Sequence, residues 1–288
     1  MEAQKGSSKA KWAKATGVSR SGYYTWLEER SKREARRNAL VKTVDRVFHK
    51  KGKGHYGAER VCGVIRLEGG KASFGKVKAI MDEHKWVSSH CKRRSKGTTD
   101  SRKARGLELK NLVKGLKITQ AFQVLASDIS QISTPEGNEY LCQILDVWTN
   151  VVLGYAQQSR KTADIVLKAM ASTQGRWQIP KGIIFHSDRG SQYTAKEVMA
   201  QISAYGLQLS FSDVGKPGDN AWSESFFSIL KKEIIHQQPC LSREEARVRI
   251  FEYIETFYNP SRAQKRLGYL SPIEFMRKSQ HENMISLP

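Results

Sequence analysis

The sequence predicts an α/β protein: a mixed five-stranded sheet with helices, preceded by a basic, α-helical amino-terminal region. Three observations predict it. The β-rich runs "FQVLASDI", "YLCQILDVW" and "VVLGYAQQ" follow one another across the short breaks "STPEGNE" and "TN", as in an antiparallel meander. Beyond them, apolar periodicity alternates between helical and extended, which gives alternating α and β elements. Ahead of them the texture is helical and dense in Lys and Arg.

The elements follow in order. Within residues 8–30, "KATGVSRSGYYTWLEE" places a Gly turn before Ser19, which can N-cap a short helix bearing Arg20, Tyr23, Tyr24 and Trp26. A turn leading into a basic, aromatic helix suits the second half of a helix-turn-helix, and an amphipathic hairpin that only packs is the alternative. Residues 32–50 form a second helix, with Leu40, Val44, Val47 and Phe48 at helical spacing. After "KKGKGHYG", residues 58–67 and 73–84 give two more short helices, the latter capped by Ser73. Residues 88–110 lack periodicity and read as a flexible basic linker that includes Arg93, Arg94 and Lys96.

The three meander strands come next, then a helix over 162–175, the strand "GIIFHSD" and a helix over 195–205. The strand "LQLSFS", a helix inside "KPGDNAWSESFFSILKKE" capped near Asp219, and a helix from about 243 to 257 complete the pattern. That order of elements fits a ribonuclease H-like core. The expected division is a helix-turn-helix-like segment (1–31), a second helical, helix-turn-helix-like domain (32–87), a basic linker (88–114), a ribonuclease H-like domain (115–280) and a tail (281–288).

Composition narrows the function. At 288 residues and 39% hydrophobic, with only 7 Pro, the chain can bury a sizeable core. No apolar run approaches the ~20 residues of a membrane span and no signal-like start is present, so the expectation is a cytosolic protein with no membrane role. Residues 1–114 hold 30 basic against 11 acidic residues, a net of +19; the remaining 19 and 17 leave +2. So lopsided an excess points to a polyanion partner, nucleic acid. Cys62, Cys91, Cys142 and Cys240 form no C-x-x-C pair and read as reduced thiols. His84, His90 and Cys91 lack a well-spaced fourth zinc ligand, with only Cys62 or His55 on offer.

Three acidic residues carry the chemistry. Asp128 ends the first predicted strand, Asp188 ends the fourth, and Glu224 lies in the first turns of a helix whose neighbours are small or apolar. In such a sheet the two strand ends can lie side by side with the helix across them. Clustered carboxylates repel, which costs stability, and divalent metal is the usual reason to accept that cost. Oxygen-rich sites hold Mg²⁺, and two such ions can activate a nucleophile and stabilise the leaving oxygen at phosphorus. A cap or salt bridge could explain any one of these acids, but hardly all three.

The strings "ASDIS", "FHSDRGSQYT", "KPGDNAWSESFFSILKKE" and "YIETFYNPSRAQKRLGYLSPIEF" resemble the DDE transposases of bacterial insertion sequences. The second-frame (OrfB) proteins of the IS-three family, whose catalytic domain is similar to the retroviral integrase core, are the nearest match. "GVSRSGYYTW" and "HYGAERV" extend the likeness into the amino-terminal half. The family pattern is Asp, Asp, then Glu after 35 intervening residues, the spacing of Asp188 and Glu224. Two positions depart from it: Leu125 stands where a Trp is usual, and Gln264 where His is common.

The resemblance implies a transposase in which Asp128, Asp188 and Glu224 hold two Mg²⁺ or Mn²⁺ ions. A metal-activated water cuts the element end, and the freed 3′-hydroxyl joins target DNA. It implies partners as well: terminal inverted repeats and target DNA, and a homo-oligomer, at least a dimer, on them. An upstream-frame partner or fusion stays open. So do a catalytically inactive DNA-binding regulator and a ribonuclease H-type nuclease. Lys231 lies seven residues after Glu224, roughly 700° around an α-helix, so both share a face that can meet the DNA end. Lys232 and Glu233 then point elsewhere. His186 shares a strand face with Asp188 and is either site-shaping or structural, Asn220 and Asp219 fix the helix start, and Asp146 reads as structural.

Overall fold

The computed structural model describes residue 17 and residues 19–91, 110–213, 217–240 and 242–285. Arg93, Arg94 and Lys96 lie outside the described residues. Helix α1, Arg20–Asp45, starts at Ser19, whose hydroxyl accepts from the Gly22 N–H at 3.0 Å. It does not stop at residue 31. No Pro interrupts 20–45, good helix formers fill the stretch, and Glu28–Lys32 and Arg30–Glu34 pair one turn apart. The two helices expected there are therefore one, ending in a π-helical turn over Arg46–Lys51. Helices α2 (Ala58–Leu67) and α3 (Phe74–Glu83) match the sequence expectation.

The sheet has the order β3-β2-β1-β4-β5. Strands β1 (Val124–Thr134), β2 (Gly137–Asp146) and β3 (Val152–Gln158) form the antiparallel meander. Strands β4 (Ile184–Ser187) and β5 (Gln208–Phe211) add on in parallel beside β1. Helices α4 (Ala163–Arg176) and α5 (Lys196–Ala204) join them, and their Ile165, Val166, Met170, Val198 and Ile202 pack on Leu125, Ile129 and Phe185. Asp146 is buried in the β2–β3 turn, accepting from the N–H groups of Phe122 and Thr149 and the Thr149 hydroxyl, a structural role.

The opposite face of the sheet is covered by α6 (Ala221–Leu230), α7 (Arg243–Glu252) and a π-helical turn over Tyr253–Tyr258. A last helix, α8 (Pro272–Ile285), lay outside the sequence reading, although "SPIE" carries its signal. Ser271 and Glu274 cap each other there, Ser271 N–H donating to the carboxylate and Glu274 N–H to the hydroxyl. No helix among the described residues is long and apolar enough to cross a membrane.

The core on this second face crosses the 87/88 boundary. Val47, Phe48, Tyr56, Val61 and Ile65 share one buried cluster with Phe226, Leu230, Tyr253 and Phe257. Tyr56 donates to the Ser261 carbonyl and accepts from the Ala263 N–H. A Cβ on Gly63 would sit 2.3 Å from the Tyr269 ring, so α2 approaches the 268–270 turn as closely as glycine permits.

An ionic joint reinforces that contact. Glu233 and Arg262, with side chains 0% and 1% exposed, form a pair in which the guanidinium donates to both carboxylate oxygens. Tyr253 donates to the same carboxylate and His90 bonds it from the amino-terminal side. Burial pushes the Glu233 carboxyl up, but the bonds from His90 and Arg262 prevail and hold it well below the usual range. The sequence reading has Glu233 pointing elsewhere than Glu224, and these bonds show where it goes. It does leave the Glu224 face, but into the core, where only a full set of donors makes a carboxylate tolerable.

Candidate active site

Strand pairing brings the first two acids together. Strands β1 and β4 run parallel with Val124 opposite Ile184 and Ala126 opposite His186. Extended by two residues, the same register sets Asp128 opposite Asp188. A parallel pair aligned this way puts both side chains on one face, because side chains alternate with period two. Asp128 does not end its strand as the sequence predicts but lies mid-strand, since β1 pairs with β2 as far as Thr134. That face is the one covered by α6.

The electrostatics show how closely the three acids share space. Burial first, then the Asp188 charge and to a smaller extent Glu224, raise the Asp128 carboxyl, which comes to about 7. The Ile129 N–H, 2.7 Å from Asp128 Oδ1, and the Lys161 charge pull the other way. Lys161, in the loop between β3 and α4, gave no sequence signal beyond being basic. Glu224 is exposed, and partial burial raises its carboxyl too.

Each acid is anchored by its neighbours. Asp188 Oδ1 accepts from the Gly190 N–H at 3.0 Å. A Cβ on Gly190 would lie 2.9 Å from that same oxygen, so the loop closes on the carboxylate only with glycine there. Gly190→Ala is expected to turn the Asp188 carboxylate and cut strand joining about tenfold or more, with the melting temperature nearly unchanged. Joining at the native rate in that variant would show the loop to be slack. On the helix side, Asn220 stands at the N-cap position of α6 without a side-chain cap bond, and its amide donates instead to the Ser127 carbonyl at 3.1 Å, one residue before Asp128. The N-cap position falls at Asn220, next to Asp219 as the sequence predicts, and a 3₁₀ turn over Pro217–Asn220 precedes the helix. Asp219 ties the loop instead, accepting from the Asn111 amide and the Asp213 N–H.

His186 is fully buried, its ring nitrogens 2.9 Å from the Ser210 hydroxyl and 3.2 Å from that of Ser212. Burial depresses its pKa to about 4, so the ring is neutral and braces β4 against β5 behind Asp188. Lys231 is half-buried just past α6. Burial lowers its pKa and the Asp128 charge raises it, which places its ammonium in the field of the acids. Of the other expected DNA contacts, Arg20 opens α1, and Tyr23 stacks on Trp26 with ring centroids 6.3 Å apart. Both lie on α1, far along the chain from the carboxylates.

The donor set is oxygen only and anionic, which suits hard divalent cations rather than zinc or copper. The raised Asp128 carboxyl fits as well, since a cation relieves the repulsion that raises it. The three acids share a field without yet being drawn into common ligation: among the described residues no group of three His, Cys, Asp or Glu side chains is placed to hold an ion.

Known proteins with these features are similar over most of the chain. The Integrase core domain family matches residues 118–217 and, in a second part, residues 224–279. The Escherichia coli K12 transposase InsF of insertion sequence IS3A is 33% identical over 267 residues, covering 91% of each chain. The transposase of insertion sequence element IS904 from Lactococcus lactis is 34% identical over 249 residues, covering 85% of this chain and 96% of its own. The HTLV-2 integrase catalytic core domain, solved with magnesium in a trimeric form, aligns with a TM-score of 0.44 and 12% identity, covering 56% of this chain and 99% of its own. With a third of its residues identical over nine-tenths of its length, and with the integrase core on both sides of Glu224, the chain belongs to the IS3 family of DDE transposases, polynucleotidyl transferases that use divalent metal in DNA transposition.

Proposed function

We propose that Asp128, Asp188 and Glu224 are the metal-holding carboxylates of this transposase, and that they hold two Mg²⁺ or Mn²⁺ ions. The observation that carries this reading is the raised Asp128 carboxyl, whose causes after burial include Asp188 and Glu224 together. The ions would supply an activated water or 3′-hydroxyl and stabilise the leaving oxygen. The chain's own residues do the rest. Gly190 and Ile129 N–H groups orient the two aspartates. Asn220 pins the Glu224 helix to β1, and His186 shapes the floor behind Asp188.

Lys231 receives the end of the element through its phosphates. It sits in the Asp128 field at the start of the π-helical turn Lys231–Ile235 that follows α6, where an ammonium offers a charge to a phosphate. Arg20 and Tyr23 on α1, and Arg93, Arg94 and Lys96 beyond the described residues, contribute sequence-independent DNA contacts to the net +19 of residues 1–114. The substrates are terminal inverted repeats and target DNA, engaged by at least a dimer in the bacterial cytoplasm at the nucleoid. An upstream-frame product could join as partner or fusion.

A strand-transfer assay with cognate ends and Mg²⁺ tests the reading. Asp128→Asn, Asp188→Asn and Glu224→Gln each keep shape and are expected to abolish cleavage and joining while leaving end binding nearly intact. Near-normal joining by any one of them would remove that residue from the site. In the same assay Lys231→Ala is expected to weaken end-specific joining at least about tenfold more than Lys232→Ala. Equal losses would take the DNA end off this helix face.

A further inference from the structure

Gln143, near the middle of β2, is fully buried, and neither its amide nitrogen nor its amide oxygen has a hydrogen-bond partner. Leaving a buried donor or acceptor unpaired is destabilising, so its surroundings need an explanation. On β3 it faces Tyr155, whose hydroxyl already donates to Glu255 at 3.0 Å. On β1 it faces Asp128. Residues directly opposite in an antiparallel pair have Cβ atoms about 4.5–5.5 Å apart on the same face, within the reach of a Gln side chain. Asp128 spends Oδ1 on the Ile129 N–H, and its second oxygen has no hydrogen-bond partner among the described residues.

Two further orphans border this spot. Ser223 Oγ, next to Glu224, and Asn220 Oδ1 are buried and unpartnered at the start of α6. Of the six unpartnered buried side-chain atoms among the described residues, four thus belong to three residues beside the acids.

We propose that Gln143 is a positioning residue for Asp128, its amide donating to the carboxylate oxygen that Ile129 leaves free when the site takes up its ion. A turn of the Gln143 side chain makes that bond, with Asp128 ionised and held in one orientation. The unpaired amide is then a poised donor, and hydrogen bonds of this outer kind set ligand orientation and metal affinity. The inference rests on the reading of Asp128 as a metal ligand.

The test is Gln143→Leu in the full chain, with Gln143→Met as a second, near-isosteric variant. Three quantities are measured: the melting temperature without metal, Mn²⁺ affinity by titration calorimetry, and strand joining at limiting Mn²⁺. Removal of an unpaired buried amide is expected to leave the melting temperature equal or higher. Mn²⁺ affinity is expected to weaken about 10–100-fold, and joining to fall with it and recover at high Mn²⁺. Unchanged Mn²⁺ affinity in either folded variant overturns the proposal, as does a lowered melting temperature in both, which would make Gln143 a structural residue. Asp128→Asn is run alongside. If that variant binds Mn²⁺ and joins DNA normally, the reading of Asp128 has failed. If it is inert while Gln143→Leu is normal, only the Gln143 inference has failed.

Discussion

Arg262→Ala is expected to destabilise the protein by about 3–5 kcal/mol, because it strands the buried Glu233 carboxylate without its main counterion. The loss follows from geometry: three guanidinium-to-carboxylate contacts of 2.6–3.1 Å in a pair with 0% and 1% exposure. Urea denaturation measures it, with Lys232→Ala as a neighbouring change expected to stay within about 0.5 kcal/mol. A paired Glu233→Met, Arg262→Met replacement is expected to recover much of the loss, since two apolar side chains leave no orphaned charge. If Arg262→Ala unfolds at the native urea concentration, the joint is ornamental. Because His90 reaches the same carboxylate, the variant is also expected to loosen residues 52–91 from the catalytic helices, visible as faster amide exchange there.

Asp128→Asn is expected to move activity and stability in opposite directions. Joining falls about 10³-fold or more, the several kcal/mol a metal ligand supplies to phosphoryl transfer. Stability without metal rises. Burial and Asp188 lift the Asp128 carboxyl from 3.8 to about 7, so the folded chain holds that proton more tightly than the unfolded chain does. The stability the group contributes is full below about pH 4 and is lost as pH climbs through about 7. Asn imitates the neutral form at every pH. At pH 8 the variant should therefore be more stable by on the order of 1–2 kcal/mol, a figure held down because solvent reaches part of the carboxylate. Melting curves from pH 4 to 8 check this, and a gain as large at pH 4 as at pH 8 would rule out the titration as its source.

The helical region over residues 32–87 shares one buried core with the catalytic helices. Cutting between residues 87 and 115 would expose Tyr56, Val61 and Ile65 on one side and Phe226 and Phe257 on the other, all buried in one cluster. DNA affinity is best assigned in the full chain, by charge substitutions on α1.

The sequence by itself determined the five strands and most helices, because period-two and period-3.6 apolar patterns are local and α6 has its cap within one residue of the expected place. It also singled out Asp128, Asp188 and Glu224 as candidates, through a strand end, a helix start and two polar strings, although Asp128 lies within β1 rather than at its end. Tertiary structure alone decided the rest. That Glu233 is buried depends on Arg262, 29 residues away, and on His90, 143 residues away, and no local pattern encodes partners at such distances. The joining of α1 across residue 31 was legible in the absence of a breaker, but its exposed, weakly periodic surface hid it. Gln143 looked like any polar residue on a strand. Only the register that sets it opposite Asp128, and a burial that leaves its amide without a hydrogen-bond partner, single it out.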